Sequence, residues 1–278
     1  MTIARKEIDD AVRSRLIWVI IAVFGAAAAL LSVALSLVPQ VEATPIMGVT
    51  MAGQSAQMLG PIIALIAAYL SIAGERESGS IKVLLGLPPS RGEVVLGKLL
   101  GRGLVVACGL MAGFIIAGVA IAVVYGSLPV VSFIFLTVLT GVLGLVFVGI
   151  AVGISAATAT RARAMTLSIG LYLALVLFWD LLAQFVHLAV LGTFPGATVP
   201  GWYVLLQGLS PVGAYDTLTN AILAGTATTG AVPTLATRLE AGVVPVYLQS
   251  WVMIGVLLAW GAVPLVLGYL RFSRTDLA

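Results

Sequence analysis

The sequence predicts an all-α integral membrane protein with six transmembrane helices, an N-terminal interfacial helix and a short cytoplasmic helix. The 278-residue chain is 61% hydrophobic and only 9% charged, with a mean hydropathy of +1.17. Soluble domains are about 25% charged. A surface with so few charges must face lipid over most of its area.

Six apolar runs are long enough to cross the hydrocarbon core, which needs roughly 20 residues of helix. The first run has no clear cleavage site and is interpreted as a retained spanning helix rather than a signal peptide. The second begins with the polar Gln54 and Gln57, which makes its start less distinct. The predicted spans are 16–38, 51–73, 99–124, 130–156, 165–191 and 250–270.

The basic residues fall on one side of these six crossings. Of the 14 lysines and arginines, all except Arg238 lie before span one, between spans two and three or in the first turn of span three, between spans four and five, or after span six. By the positive-inside rule both termini are then cytoplasmic. One span more or fewer would scatter these charges over both sides.

Residues 1–15 are predicted to form a helix that lies in the membrane surface. Ile3, Ile8, Val12 and Leu16 repeat at helical spacing, with charged residues on the opposite face. Such an amphipathic pattern is typical of interfacial helices. The alternative is a positively charged flank without this helix.

The stretch from Gly92 to Leu99 matches a phosphate-binding P-loop at every position except the last. A P-loop is a turn between a strand and a helix, and it ends in a Ser or Thr that ligates Mg²⁺. Here Ser90 and Glu93 form a capping-box pattern, which predicts a helix that begins near Arg91. Leu99 stands where the hydroxyl is needed. We therefore predict no nucleotide, metal or other cofactor site in this chain, and no catalytic site.

The predicted cytoplasmic segment 74–98 carries two charged clusters around the apolar piece 81–87. A short helix with an apolar face and charged ends suits docking in the groove of a partner protein. A solvated loop with basic ends is the alternative that the residues alone leave open.

The whole stretch "GERESGSIKVLLGLPPSRGEVVLGKLLGR", residues 74–102, strongly resembles the cytoplasmic loop of ABC-2 type transporter permeases. Within that family, "LVLFWDLLAQ" (175–184) and "SPVGAYDTL" (210–218) resemble permeases that serve copper-site maturation of nitrous oxide reductase. In the second stretch Ser210 and Gly213 depart from the family pattern, so the transported substrate stays open.

The resemblance implies the membrane subunit of an exporter with a bundle like that of type V ABC exporters. It implies residence in the plasma or inner membrane, pairing with a second permease subunit, identical or different, and a separate ABC ATP-binding protein that holds ATP and Mg. A coupling helix in the cytoplasmic loop would seat in that ATPase, with charged and polar residues for orientation and apolar residues for burial. The predicted coupling residues are Glu75, Arg76, Glu77, Ser80, Ile81, Lys82, Leu84 and Leu85.

Asp180 is the only ionisable residue well inside a predicted span, and His187 follows seven residues later on the same helical face. A membrane-buried carboxylate is costly and should face the bundle or a cavity. The two residues are candidates for a translocation path. The structural alternative is that Asp180 accepts hydrogen bonds from another helix and His187 lies at the interface.

The extracytoplasmic segment 192–249 is nearly uncharged and is expected to pack on the membrane or on the bundle, or to dock an external protein. Within it, Ser210 and Pro211 predict the start of a short helix that runs to Ala224. An intramembrane enzyme is excluded because one His and one buried Asp supply no catalytic set. A membrane anchor or scaffold without transport is the remaining alternative.

Overall fold

The computed structural model describes residues 15–79, 90–226 and 234–274, and within these ranges it is helical with no β-strand. The predicted interfacial helix at 1–15 and the centre of the predicted coupling segment, 80–89, lie almost wholly outside them. The helices are α1 (Arg15–Ala34), α2 (Pro45–Ala68), α3 (Ala73–Glu77), α4 (Arg91–Tyr125), α5 (Val130–Ala157), α6 (Arg161–Tyr172), α7 (Trp179–Leu191), α8 (Gly201–Gly208), α9 (Pro211–Thr226), α10 (Leu235–Arg238) and α11 (Ser250–Ser273).

Five segments are long and apolar enough to cross a membrane, and they contain α1, α2 with α3, α4, α5 and α11. The fifth predicted span, 165–191, is not one continuous helix. It consists of α6 and α7, which are bent by 50° at a π-helical turn over Leu173–Leu177. Counted as one crossing, the bent pair brings the total to six. A π turn inserts an extra residue into the helical ladder and is a common cause of such a bend.

Helix α4 begins where the capping-box pattern predicts. The Glu93 N–H donates to the Ser90 side-chain oxygen (3.3 Å), and the Ser90 N–H donates back to the Glu93 carboxylate (2.7 Å). Gly97 and Lys98 lie inside this helix, so their N–H groups belong to the backbone ladder rather than to an open loop. The helix starts eight residues before the predicted apolar span and ends at Gly126, whose φ of +72° is a left-handed cap.

Glycines allow two of the helix pairs to approach closely. A Cβ on Gly149 of α5 would lie 2.6 Å from the Gly261 carbonyl oxygen of α11, and one on Gly268 would collide with the backbone of Gly153. A Cβ on Gly113 of α4 would lie 3.0 Å from the backbone nitrogen of Gly25 in α1. Between membrane helices such small residues give the close backbone contact that larger side chains prevent.

Five helix ends meet at one end of the bundle. They are the C-terminal ends of α3, α5 and α11, at Glu77, Ala157 and Ser273, and the N-terminal ends of α4 and α6, at Arg91 and Arg161. We call this end of the bundle the basal end, and the opposite one the distal end. Because α6 leaves the basal end and α11 returns to it, the chain between them must turn back at the distal end.

Part of that connecting chain enters the bundle. The indole N–H of Trp260, ten residues into α11, donates to the Leu209 carbonyl (2.8 Å), and Tyr215 meets Thr140, ten residues into α5 (2.9 Å). Ten residues of helix span about 15 Å, half of a hydrocarbon core. Helices α8 and α9 therefore form a re-entrant hairpin whose tip, residues 208–211, lies at mid-depth. The predicted N-cap is confirmed, since the Gly213 N–H donates to the Ser210 hydroxyl (2.9 Å).

Candidate functional site

Helix α3, which lies at the start of the predicted coupling segment 74–98, is anchored to the C-terminal end of α5. The Arg76 guanidinium donates to the carbonyls of Ala156 (3.3 Å) and Thr158 (2.9 Å) and lies 5.9 Å from the Phe272 ring centroid. The Ser155 hydroxyl accepts from the N–H groups of Ile72 and Ala73, both at 2.9 Å. These bonds satisfy backbone groups that a helix terminus leaves open.

The acidic residues of the same helix reach two further elements. The Glu75 carboxylate lies 2.6 Å from the ammonium of Lys98, a side chain that is only 6% exposed. The Glu77 carboxylate accepts from the backbone N–H of Arg161, the first residue of α6. An anion at that position is favourable because a helix N-terminus carries partial positive charge.

Arg91 completes this basal cluster on the other side of the loop. Its guanidinium donates to the Phe272 carbonyl (2.6 Å) and the Ser273 carbonyl (3.1 Å) at the end of α11. Both flanks of the loop are thus bonded to the membrane helices. We define the basal cluster as Glu75, Arg76, Glu77, Arg91 and Lys98.

Three of the eight predicted coupling residues, Glu75, Arg76 and Glu77, are described by the structure, and all three make contacts within the chain. The other five lie in the range 80–89 and outside the described residues: Ser80, Ile81, Lys82, Leu84 and Leu85. Their role as ATPase contacts stays a prediction. The basal cluster adds Arg91 and Lys98, which sequence reasoning did not assign to this region's function.

A second polar region lies at the tip of the re-entrant hairpin, where a cavity of about 170 Å³ opens between α2, α7, α8, α9 and α10. We call it the mid-depth cavity. Asp180, in the first turn of α7, accepts a 3.5 Å hydrogen bond from the Gln207 amide. Asp216 accepts from the Gln57 amide (2.9 Å) and the Asn220 amide (3.0 Å).

The walls of the mid-depth cavity combine anionic, neutral polar and cationic groups. Arg238 lines it together with Ser210 and Thr217, and the described residues include no ion pair between Arg238 and either aspartate. The arrangement can bind a small polar group through carboxylate and amide contacts within an otherwise apolar bundle. Tyr215 of α9 is fully buried, and its hydroxyl lies 2.9 Å from the Thr140 hydroxyl of α5.

His187 lies on the same face of α7 as Asp180, as the seven-residue spacing predicts, but about 10 Å further towards the distal end. Both residues face α8, where Asp180 meets Gln207 and His187 meets Tyr203, with a ring separation of 5.0 Å. The His187 Nδ1 is 2.8 Å from the Thr193 carbonyl, and the side chain is 4% exposed. It does not line the cavity. The structure therefore places only Asp180 at the cavity.

Sequence reasoning missed most of the cavity wall. Gln57 was visible as a polar interruption of an apolar span, and Asp216 stands in the family-like stretch 210–218. Neither position indicates the other, because 159 residues separate them and only the re-entrant hairpin brings them together. Within the described ranges, no group of three or more His, Cys, Asp or Glu side chains could hold a metal ion.

Comparison with known proteins agrees with this architecture. The family model described as "ABC-2 family transporter protein" matches residues 1–277. The probable ABC transporter permease protein NosY of Stutzerimonas stutzeri is 30% identical over 280 residues, which cover 98% of this chain and 97% of that protein. The protein of the same name from Pseudomonas aeruginosa is 41% identical over 131 residues, or 43% of this chain and 44% of that protein.

A family match over nearly the full length, a full-length relative and a multi-pass helical bundle lead to one conclusion. The chain belongs to the ABC-2 family of transporter proteins and is of the kind that forms the membrane-spanning permease subunit of an ABC transporter.

Proposed function

We propose that this chain is the permease of an ATP-driven exporter in the plasma or inner membrane, with both termini in the cytoplasm. A separate ABC ATP-binding protein, which carries ATP and Mg, would dock on the loop between α3 and α4, and a second permease subunit would complete the membrane part. The observation that carries this proposal is the basal cluster, because it links both flanks of that loop to the ends of α5, α6 and α11. The direction of transport and the dimer rest on the family resemblance.

The contact between Glu77 and Arg161 suggests how a movement of the loop reaches the membrane interior. Glu77 ends α3, and Arg161 begins α6. Helix α6 continues through the π turn into α7, whose first turn carries Asp180. A displaced α3 would shift α6 and change the bend at Leu173–Leu177. Coupling through packed rigid elements requires such a contiguous chain of contacts.

The mid-depth cavity is our candidate for part of the transport path. Carboxylates inside a membrane are retained where they face a cavity or a polar partner, and Asp180 and Asp216 do both. The asymmetry of basic residues, with Arg238 alone on the distal side, supports a cytoplasmic basal end.

The docking part of the proposal is tested by copurification from cells that coexpress the chain with its ATP-binding subunit. Leu84→Ser with Leu85→Ser should lower the affinity for that subunit at least about tenfold, since burying each leucine contributes roughly 1.5–3 kcal/mol. The matched control is Val243→Ser with Val246→Ser, because these valines are 69% and 65% exposed on the distal side. Equal amounts of copurified subunit in both variants would contradict a docking role for the loop.

The coupling part is tested by ATP hydrolysis of the reconstituted complex. Glu77→Ala removes the acceptor of the Arg161 N–H. Because Glu77 is bonded within the chain, we expect this variant to bind the ATP-binding subunit better than the double leucine variant does. The permease stimulates ATP hydrolysis by its partner, and we expect this stimulation to be about fivefold smaller in Glu77→Ala. That factor corresponds to ~1 kcal/mol of coupling. Glu77→Gln keeps an oxygen acceptor and should retain most of that stimulation. A hydrolysis rate that is the same with and without the permease would favour the scaffold alternative.

A further inference from the structure

Two opposite charges line the mid-depth cavity without being paired to each other. The Arg238 guanidinium is half-buried, and within the described ranges it has neither a hydrogen bond nor an ion pair. Among the same residues, the Asp180 carboxylate accepts only the amide bond from Gln207, which at 3.5 Å is longer than an ordinary N–H···O bond. Since a carboxylate has about four acceptor sites, Asp180 keeps most of its capacity.

Asp216, the other anion of the cavity, is held more firmly within the chain. One of its oxygens accepts from the Gln57 amide (2.9 Å) and the other from the Asn220 amide (3.0 Å). These bonds fix its carboxylate between α2 and α9. Asp180 and Arg238 are therefore the two charges of the cavity that a ligand can reach with the least competition from protein groups.

Separate elements position these two charges. Asp180 lies in the first turn of α7. Arg238 ends α10, and its carbonyl accepts from the N–H of Val199, just before α8 (2.9 Å). Both charges act electrostatically on Tyr203 of α8, so they lie near the same side chain. Opposite charges attract strongly in a medium of low dielectric constant. Since these two form no ion pair, the space between them is left for a third group.

This arrangement leads us to infer that the mid-depth cavity binds a small zwitterion, whose cationic group meets Asp180 and whose anionic group meets Arg238. A ligand with only a positive charge would leave Arg238 unpaired, and one with only a negative charge would face Asp180 and Asp216. The hydroxyls of Ser210 and Thr217, also in the wall, can bond the neutral part of the ligand. The volume of about 170 Å³ admits roughly ten water-sized groups, enough for an amino acid or a betaine.

As a class of transported substrate, the small zwitterion rests on the proposed function, because the mid-depth cavity is there the candidate transport path. Binding itself needs only this chain. A titration of the purified full-length chain without the ATP-binding subunit therefore tests the ligand class separately from docking and coupling. Loss of docking in the copurification experiment would leave zwitterion binding in place, and a failed titration would leave docking in place.

The titration uses isothermal calorimetry in detergent with glycine, 4-aminobutyrate and 6-aminohexanoate, whose two charges are progressively further apart. At least one of them should bind about tenfold more tightly than both n-butylamine and butyrate, since each additional charge-assisted contact contributes that much. Asp180→Asn should weaken the tightest zwitterion about tenfold without weakening butyrate. Arg238→Gln should weaken it about tenfold without weakening n-butylamine. A variant that had merely lost its fold would lose all ligands alike.

The matched controls are Glu240→Gln, which removes an exposed acid two residues from Arg238, and Arg163→Gln, which removes an exposed arginine at the basal end. Neither residue lines the cavity, and both variants should bind the zwitterion as the wild type does. An equal loss in a control and in the cavity variant of the same charge would mean a diffuse field and would overturn the site. Equal affinity for the zwitterions and the singly charged compounds would also overturn it. Displacement of the zwitterion by phosphatidylethanolamine would assign the two charges to a lipid head group and overturn a soluble ligand.

Discussion

The two ends of the bundle satisfy their polar groups by different means. At the basal end the contacts are ionic and orient whole helices, as in the pair between Glu75 and Lys98 and the bonds of Arg76 and Arg91 to helix carbonyls. In the distal half most are neutral: a tyrosine with a threonine, indole N–H groups with carbonyls, and the histidine with its aromatic neighbours. The exceptions are the two aspartates of the mid-depth cavity, which accept from neutral amide groups rather than from cations.

This difference separates a fixed part of the molecule from a part that can rearrange. Charge-assisted hydrogen bonds are about twice as strong as neutral ones, and removing one partner of a buried ion pair leaves an uncompensated charge. The re-entrant hairpin has no ion pair to the surrounding helices among the described residues. It is attached by neutral bonds of Trp179 and Trp260 and, around an open cavity, by amide-to-carboxylate bonds at Asp216 and Asp180. We therefore expect substitutions at the basal end and its helix contacts to reduce stability more than substitutions around the hairpin.

The largest effect should come from the close contact of α5 with α11, which positions the basal end. Gly268→Ala places a Cβ against the backbone of Gly153, which cannot move without separating the two helices. Overpacking of this kind costs about 3 kcal/mol or more. Thermal unfolding in detergent, followed by tryptophan fluorescence, should show a clear loss of stability.

Gly255→Ala on the same helix is the matched control, because no atom lies within 4 Å of the added Cβ. Its unfolding temperature should stay close to that of the wild type. If the two alanine variants unfolded alike, the contact between α5 and α11 would not limit stability.

The ion pair of the basal cluster should give the next largest effect. Glu75→Gln leaves the Lys98 ammonium, which is 6% exposed, without its carboxylate. We expect a loss of about 2 kcal/mol in the free energy of unfolding, below the full range for deeply buried pairs because Glu75 is 30% exposed. The same unfolding assay measures it.

The double variant Glu75→Gln with Lys98→Met removes both charges and should recover part of the loss. A stability of the single variant equal to that of the wild type would mean that solvent or lipid head groups screen Lys98. It would also remove the basis for treating the basal end as the more rigid half.

The features that could be predicted from the sequence are those encoded by neighbouring residues. Hydropathy located the crossings because a spanning helix is defined by its own composition. The capping box at Ser90 and the N-cap at Ser210 marked helix starts because their bonds join residues three apart. The spacing of Asp180 and His187 correctly put both on one face.

The features that could not be predicted depend on contacts between distant residues. The π turn in the fifth predicted span contains no proline or glycine, and the break coincides with the bond from Trp179 to Leu206 on the hairpin. The cavity needs Gln57 of α2 to meet Asp216 of α9. A strongly apolar run predicts that a segment lies in the membrane. It does not predict which neighbouring helix the segment contacts or where such a contact bends it.

The smallest effect should come from the neutral bond between Tyr215 and Thr140, which anchors α9 of the hairpin to α5. Both hydroxyl groups are buried, with their oxygens 2.9 Å apart. Tyr215→Phe should cost about 1 kcal/mol, the usual net value of a hydrogen bond. Thr140→Val should lower the free energy of unfolding by a similar amount. The double variant should be little less stable than either single variant, because it leaves no hydroxyl group without its partner. Unfolding of the three variants in detergent closes this double-mutant cycle. A coupling above that of Glu75 with Lys98 would reverse the comparison and make the hairpin the better-anchored half.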